Sequence, residues 1–182
     1  RADQHHRFCR HRGRGVTPQR PSRAAPIAGG SAAIAGMLAL AVGIIKPWEG
    51  RELTPYLDIV NVLTVCDGIT GPEVIAGKVY TPDQCDRFLS ERIGITYAAL
   101  ERCIVKPVHP ASMAAVLSMA FNVGTAAVCR STMVRRINAG EPASAWCGEF
   151  AKWVYAGGRR VKGLVNRRNA EMKLCLQGAV PP

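Results

Sequence analysis

The stretch from Pro110 to Gly124, PASMAAVLSMAFNVG, constrains the fold most, because it is apolar on nearly every side. A helix with no polar face cannot lie on a protein surface and has to be enclosed by other elements. Asn122 and Gly124 are residues typical of a helix end. The sequence therefore predicts a central buried helix with the rest of the chain arranged around it.

Short strands are predicted before this helix. The stretch YLDIVNVLTVCDGIT, residues 56–70, is rich in Val, Ile, Leu and Thr. Turn-forming residues interrupt it at Asn61 and at Asp67-Gly68. This pattern predicts two or three short antiparallel strands.

Helices are predicted on both sides of the central one. Thr81 is a good N-cap and Pro82 suits the first helical position, with apolar residues then recurring at helical spacing. Further helices are predicted over RSTMVRRINAG, EPASAWCGEFAKWVYAGG and VNRRNAEMKLCLQG. A small sheet followed by four or five helices predicts an α+β fold in two lobes, with a groove between them.

The N-terminal part differs from the rest in composition. Residues 1–23 hold seven Arg and one Asp with almost no apolar residues, and we expect them to be disordered. Residues 24–45 carry no charge and are long enough to cross a bilayer, but Ala and Gly dominate them. Four interpretations compete: a cleaved signal peptide, a permanent anchor, a weakly held anchor that later leaves the membrane, and a buried Ala-rich helix. Length and composition together favour the weakly held anchor, which leaves residues 46–182 as the folded domain.

Charge and cysteine content limit the kinds of partner and the compartment that the chain could have. From Pro47 onward 16 Lys and Arg oppose 12 Asp and Glu, an excess that suits an anionic polymer such as a cell wall. No pattern of a nucleic-acid module is present, so no nucleic-acid partner is expected. The seven cysteines form no CxxC pair, which argues against a metal site, and no organic cofactor is implied. Six cysteines follow Pro47, which favours disulfides in an oxidising compartment over buried free thiols.

The stretch PWEGRELTPYLDIVNVLTVCDG, residues 47–68, holds the candidate catalytic residues Glu49, Asp58 and Thr64. Cleavage of a glycosidic bond needs two carboxylates in different environments, one as an acid and one ionised. Glu49 follows Trp48 at the end of an apolar segment, and Asp58 lies in a strand region near the Thr64 hydroxyl. Spacing alone leaves open a simple alternative, a helix-end Glu and a solvent-facing strand Asp.

A family resemblance extends this interpretation. The Glu49–Asp58–Thr64 spacing resembles the pattern of phage-type lysozymes, the muramidases that phages use as endolysins. Four further stretches resemble that family in the same order: LTVCDGITG, AFNVG, STMVRRINAG and WVYAGGRRVKGLVNRRNAEMKLC. The resemblance implies a lysozyme-like α+β fold with the active-site cleft between its lobes.

The resemblance also implies roles for single residues. Glu49 would be the general acid, Asp58 would position water or stabilise the developing cation, and Thr64 would hold that water. Arg167 falls where the family has an Arg close to the catalytic Glu, as a functional group or as a structural ion pair. Asn122 fits a fold-supporting residue at the border of the cleft better than a catalyst.

Further expectations concern the turn after Asp67, two Trp residues and the cysteines. Many relatives carry Gly-His-Thr where this chain has Gly68-Ile69-Thr70, which puts a local salt bridge in doubt. Trp146 and Trp153, at helical spacing, are expected in the core rather than on a sugar platform. The six later cysteines could pair as Cys66–Cys85, Cys103–Cys129 and Cys147–Cys175, which leaves Cys9 over. The first and last of these pairs fall at positions where disulfide-bearing relatives also have Cys.

The anchor gains a meaning from the same family. Residues 24–45 resemble the signal-anchor-release segments of lambdoid-phage endolysins. The implied partners are the host secretion machinery, the inner membrane while the chain is tethered, and peptidoglycan after release into the periplasm. The expected activity is that of a monomeric muramidase. The alternatives are a non-catalytic wall-binding protein on a lysozyme fold, and a chitinase-like or transglycosylase enzyme.

Overall fold

The computed structural model describes residues 32–58 and 61–179 of the chain. Residues 1–23, expected to be disordered, and residues 24–31 of the expected anchor lie outside the described residues. The elements in chain order are α1 (Ala32–Ile45), a 3-10 turn (Lys46–Trp48), β1 (Glu52–Leu57), β2 (Leu63–Cys66), β3 (Ile69–Thr70), α2 (Pro82–Glu101), α3 (Pro110–Val123), α4 (Thr125–Cys129), α5 (Thr132–Asn138), α6 (Ala143–Trp146), a second 3-10 turn (Cys147–Lys152), β4 (Tyr155–Ala156), β5 (Arg159–Arg160) and α7 (Lys162–Gln177).

Helix α3 is the centre of the larger lobe. All ten residues from Ala111 to Ala120 are buried, and the helix packs against α1, α2, α4 and α7. Gly124 ends it with φ of 89°, a conformation that favours glycine. The prediction of a central buried helix is therefore confirmed.

Helix α1 packs into this lobe as a core element. Met37, Ala41 and Ile45 lie on its buried face, against α3. Among the described residues, no helix combines the length and hydropathy that a membrane span needs. Half of the residues of α1, among them Leu40, are exposed, so residues 32–45 form a surface helix with one buried face in this structure. The boundary at residue 46 stays a prediction.

The smaller lobe is built on a three-stranded antiparallel sheet in the order β1-β2-β3. Tyr56 pairs with Thr64, and Thr64 pairs in turn with Thr70 on β3. Strand β1 is irregular between Glu52 and Tyr56, the part that contains Pro55. A proline lacks the N–H that a ladder needs, so this irregular edge strand can accommodate it.

A second, separate apolar cluster lies beneath this sheet, and it includes Val65, Ile69 and Tyr80. Ile69, at the position where many relatives have His, is only 2% exposed there. Two clusters, one helical and one under the sheet, confirm the predicted α+β fold in two lobes.

Three disulfides tie the elements together, so the prediction of disulfide bonding is confirmed. Cys66–Cys85 joins β2 to α2, Cys103–Cys129 joins the turn after α2 to α4, and Cys147–Cys175 joins the second 3-10 turn to α7. These are the three candidate pairs named from the sequence, and the resemblance had supported the first and the last of them.

The segment Glu141–Gly158 departs from its prediction as one helix. It forms α6, a 3-10 turn and then the β4–β5 hairpin. Gly157 and Gly158, with φ of 54° and 74°, form the two-residue turn of that hairpin, which a helix cannot contain. Trp146 is buried in the core and Trp153 is half-buried against it, as expected.

Candidate active site

Glu49 lies at the junction of the two lobes, directly after the first 3-10 turn. Its backbone is extended, with φ of −94° and ψ of 122°, so the turn ends at this residue. Its Oε1 accepts a hydrogen bond of 2.8 Å from Nη1 of Arg167 on α7. The Arg167 side chain is 5% exposed and that of Glu49 is 21% exposed. The carboxylate therefore reaches solvent while its partner is enclosed.

Arg167 is itself fixed from the helical lobe. Its Nε donates to Oε1 of Glu171 at 3.2 Å, and its Nη2 donates to the Ser118 carbonyl at 3.3 Å. The Ser118 hydroxyl also donates to Oε1 of Glu171, at 2.7 Å. Helices α3 and α7 thus hold the guanidinium that holds Glu49.

Arg168 completes this buried network and connects it to the exposed Asn122. Nη2 of Arg168 donates to Oε1 of Glu171 at 3.0 Å and to Oδ1 of Asn122 at 3.1 Å. Burial lowers the pKa of Arg168 and raises the pKa of Glu171, while their mutual attraction opposes both shifts. Asn122 therefore connects to Glu49 only through a chain of side chains, as expected for a supporting residue.

Ser118, Arg168 and Glu171 were not predicted as site residues from the sequence. A signal was present, because Arg167 and Arg168 stand four and three residues before Glu171 and so share a helix face with it. On a helix that packs against the mostly apolar α3, buried charges on that face have to be paired with one another. The contact to Ser118 had no local signal.

Asp58 and Thr64 form a second group on the β1–β2 hairpin, and the Val62 backbone connects them. The Val62 carbonyl accepts from the Asp58 N–H at 3.0 Å and from the Thr64 hydroxyl at 3.0 Å. The Val62 N–H donates to Oδ1 of Asp58 at 2.9 Å. Thr64 is 4% exposed, and its neighbour on the adjacent strand is Thr70. The hairpin itself therefore fixes both side chains.

Arg51, close after Glu49, was also not singled out from the sequence. It forms a two-pronged ion pair with Asp67, which stands in the turn between β2 and β3. Ile69 cannot form the salt bridge expected of the His that many relatives have at this position. In this chain the same turn carries the Arg51–Asp67 ion pair instead. Within residues 32–58 and 61–179, no cluster of His, Cys, Asp and Glu could hold a metal ion.

Comparison with known proteins identifies the family. The model of the phage lysozyme family matches residues 46–171. The SAR-endolysin of Bacteriophage PS119 is 37% identical over 159 residues, which are 87% of this chain and 95% of that protein. The solved endolysin of Escherichia coli O157:H7 phage FAHEc1 superimposes with a TM-score of 0.67 at 27% identity, over 79% of this chain and 94% of the other. The active form of the P1 phage endolysin Lyz gives a TM-score of 0.66 at 25% identity, over 84% and 98%. The chain therefore belongs to the phage lysozyme family, and it is a phage-type endolysin.

Proposed function

We propose that this endolysin hydrolyses the β-1,4 bond between N-acetylmuramic acid and N-acetylglucosamine in peptidoglycan, with Glu49 as the general acid. The observation that carries the proposal is the contact between Glu49 and Arg167. Within the described residues only Oε1 of Glu49 takes part in that ion pair. Oε2 is thereby left to face the oxygen of a leaving sugar, while the buried Arg167 fixes the orientation of the carboxylate.

Asp58 and Thr64 supply the other half of the reaction in this proposal. The Thr64 hydroxyl donates its only hydrogen to the Val62 carbonyl, so its oxygen is oriented to accept a hydrogen bond from a water molecule. The Val62 N–H holds one oxygen of Asp58. Asp58 would then activate or orient that water towards the anomeric carbon while Glu49 protonates the leaving oxygen. A carboxylate pair with a water between them corresponds to an inverting reaction.

The route to the substrate forms the second part of the proposal. Relatives such as the one from PS119 are named SAR-endolysins, and the alignment with it is longer than the chain after Ile45. The similarity must therefore include part of residues 24–45. We propose that this segment tethers the chain to the inner membrane after export and that the enzyme later acts in the periplasm.

The structure supplies a physical reason for inactivity before release. Met37, Ala41 and Ile45 of α1 are core residues of the helical lobe, and Ile45 stands just before the turn that ends at Glu49. A helix that lies in the bilayer cannot fill those core positions. The lobe that holds Arg167 would then be incomplete, and Glu49, only four residues after Ile45, would be held near the membrane and away from Arg167.

The test measures clearing of permeabilised Gram-negative cells by the full oxidised chain and by Glu49→Gln and Asp58→Asn. Loss of an acid or base should reduce the rate by about 10²- to 10⁴-fold. Glu52→Gln, an exposed Glu on β1, is the matched control and should clear cells as the wild type does. Equal clearing by Glu49→Gln and the wild type would refute the assignment of the acid.

Product analysis separates the alternatives. Hydrolysis releases new reducing ends, whereas a transglycosylase would leave 1,6-anhydro products. Binding to isolated cell walls without any released sugar would instead favour a non-catalytic wall-binding protein.

A further inference from the structure

Arg51 lies between two carboxylates that come from different elements. Its Nε and Nη2 donate to the two oxygens of Asp67, at 3.1 and 2.6 Å. The same Nη2 lies 2.7 Å from Oδ1 of Asp86 on α2. The Asp67 side chain is fully buried and that of Arg51 is 20% exposed. A buried carboxylate needs such a partner, since an unpaired one would be strongly unfavourable.

The two carboxylates are neighbours of one disulfide. Asp67 directly follows Cys66, and Asp86 directly follows Cys85. The Cys66–Cys85 bond holds the two α-carbons 5.2 Å apart, although the residues are 19 positions apart in the chain. The disulfide therefore brings the acceptors of Arg51 together from the sheet and from α2.

A second cation completes the arrangement on the other side of Glu49. Nζ of Lys46 lies 3.0 Å from the same oxygen of Asp86 that Arg51 contacts. Lys46 opens the 3-10 turn that precedes Glu49, and Arg51 closely follows Glu49. Chain positions on both sides of Glu49 are thus attached to the disulfide-linked pair. We call Lys46, Arg51, Asp67 and Asp86 the Arg51 clamp.

The charges of the clamp stabilise one another. The hydrogen bond that Arg51 donates to Asp67 raises the pKa of Arg51 above its usual value. Lys46 first, and Arg51 second, lower the pKa of Asp86. Both shifts favour the charged forms, so Arg51 and Asp86 keep their opposite charges at neutral pH.

We infer that the Arg51 clamp positions the backbone of Glu49, so that Arg51 is a positioning residue for the acid. The inference rests on the proposed role of Glu49. Arg167 fixes only the end of the Glu49 side chain, whereas the extended backbone at Glu49 belongs to no helix or strand. The clamp supplies the missing constraint from the smaller lobe. Glu49 is thereby held from both lobes at once.

The first test compares Arg51→Ala and Arg51→Lys with Arg92→Ala in the full oxidised chain, on purified peptidoglycan. Arg92 is a matched control because it pairs with Glu73 in the same lobe at 3.7 Å. A misplaced catalytic group can reduce the rate about 100-fold, so Arg51→Ala should lower kcat by about 10- to 100-fold and leave KM nearly unchanged. Arg51→Lys should recover only part of kcat, because Lys cannot bind both oxygens of Asp67 in the fork geometry.

The second test removes the disulfide with Cys66→Ala/Cys85→Ala and uses Cys103→Ala/Cys129→Ala as its control. Without the link between Asp67 and Asp86, kcat should fall, and a further Arg51→Ala should then change it by less than about 3-fold. Full additivity of the two losses would refute the coupling of clamp and disulfide.

Further outcomes distinguish this inference from the proposed function. An inactive wild type, or an active Glu49→Gln, would refute the proposed function itself. If the wild type is active, Glu49→Gln is inactive, and Arg51→Ala has the kcat of Arg92→Ala, the positioning role is refuted and the acid assignment stands. A thermal melt gives the fraction of Arg51→Ala that is unfolded at the assay temperature. If that fraction accounts for the whole loss of kcat, the positioning role is refuted.

Discussion

The two groups of site residues are held by different kinds of interaction. Glu49 depends on charged side chains of the helical lobe, where Arg167, Arg168 and Glu171 are almost wholly buried. Asp58 and Thr64 depend on hydrogen bonds with the backbone of Val62, within one hairpin. The first group is a network across distant parts of the chain, and the second is local.

The difference predicts how each group responds to change. In a buried network each charged group is the ion-pair or hydrogen-bond partner of another. The loss of one group therefore leaves a charge without a partner in a low dielectric. A hairpin keeps its backbone bonds when a single side chain changes. Substitutions in the network around Glu49 should therefore lower the free energy of unfolding strongly. Substitutions of Asp58 or Thr64 should lower activity with little change in stability.

The largest effect on stability is expected from Glu171→Ala, which removes a member of the buried charged network. Two guanidinium groups and the Ser118 hydroxyl would lose their shared acceptor. Removal of one partner of a buried ion pair typically lowers the free energy of unfolding by about 3–5 kcal/mol. Urea unfolding of the oxidised chain measures this.

The control for that change is Glu141→Ala, which removes an exposed partner of Arg136 at 3.6 Å. Exposed pairs contribute about 0–1 kcal/mol, so this variant should unfold almost as the wild type does. Similar midpoints for the two variants would show that the buried network does not carry the stability assigned to it.

A smaller effect on stability is expected from Thr64→Val, which tests the hairpin side. The Val62 carbonyl would lose the hydroxyl donor but keep the Asp58 N–H. The free energy of unfolding should fall by about 1 kcal/mol, the usual net contribution of one hydrogen bond. The rate of wall hydrolysis should fall much further if Thr64 holds the attacking water. Thr70→Val, the same change at the cross-strand partner, should leave the rate near that of the wild type.

The same contrast explains what could be predicted from the sequence. Local sequence patterns predicted the buried α3 and the start of α2. Thr81 is the expected N-cap of α2, and in the structure it forms a capping box with Gln84. The hairpin at Asp58 and Thr64 likewise falls within the predicted strands. Local spacing carries such features because their partners stand a few residues apart.

Long-range charge pairing was beyond the sequence. Ser118 and Glu171 are 53 positions apart, and Glu49 and Arg167 are 118 apart, so no periodicity relates them. The position of Arg167 came from the family resemblance, and its hydrogen bonds came from the structure. The Arg51 clamp was missed for the same reason, because its acceptors meet only through a disulfide.

The smallest effect on stability is expected from Asp86→Asn, which tests the exposed part of the Arg51 clamp. Lys46 and Arg51 lower the pKa of Asp86 in the folded chain, so ionised Asp86 favours folding at neutral pH. This contribution is present above the usual carboxyl pKa of about 4 and is lost as the pH falls through the lower folded-state value. The wild type should therefore melt slightly above Asp86→Asn between about pH 5 and 7, with the gap closing below about pH 4. Because Asp86 and Lys46 are nearly half exposed, added salt should shrink the gap as well. A gap that persists unchanged at low pH would mean that the Asp86 charge does not act through the clamp.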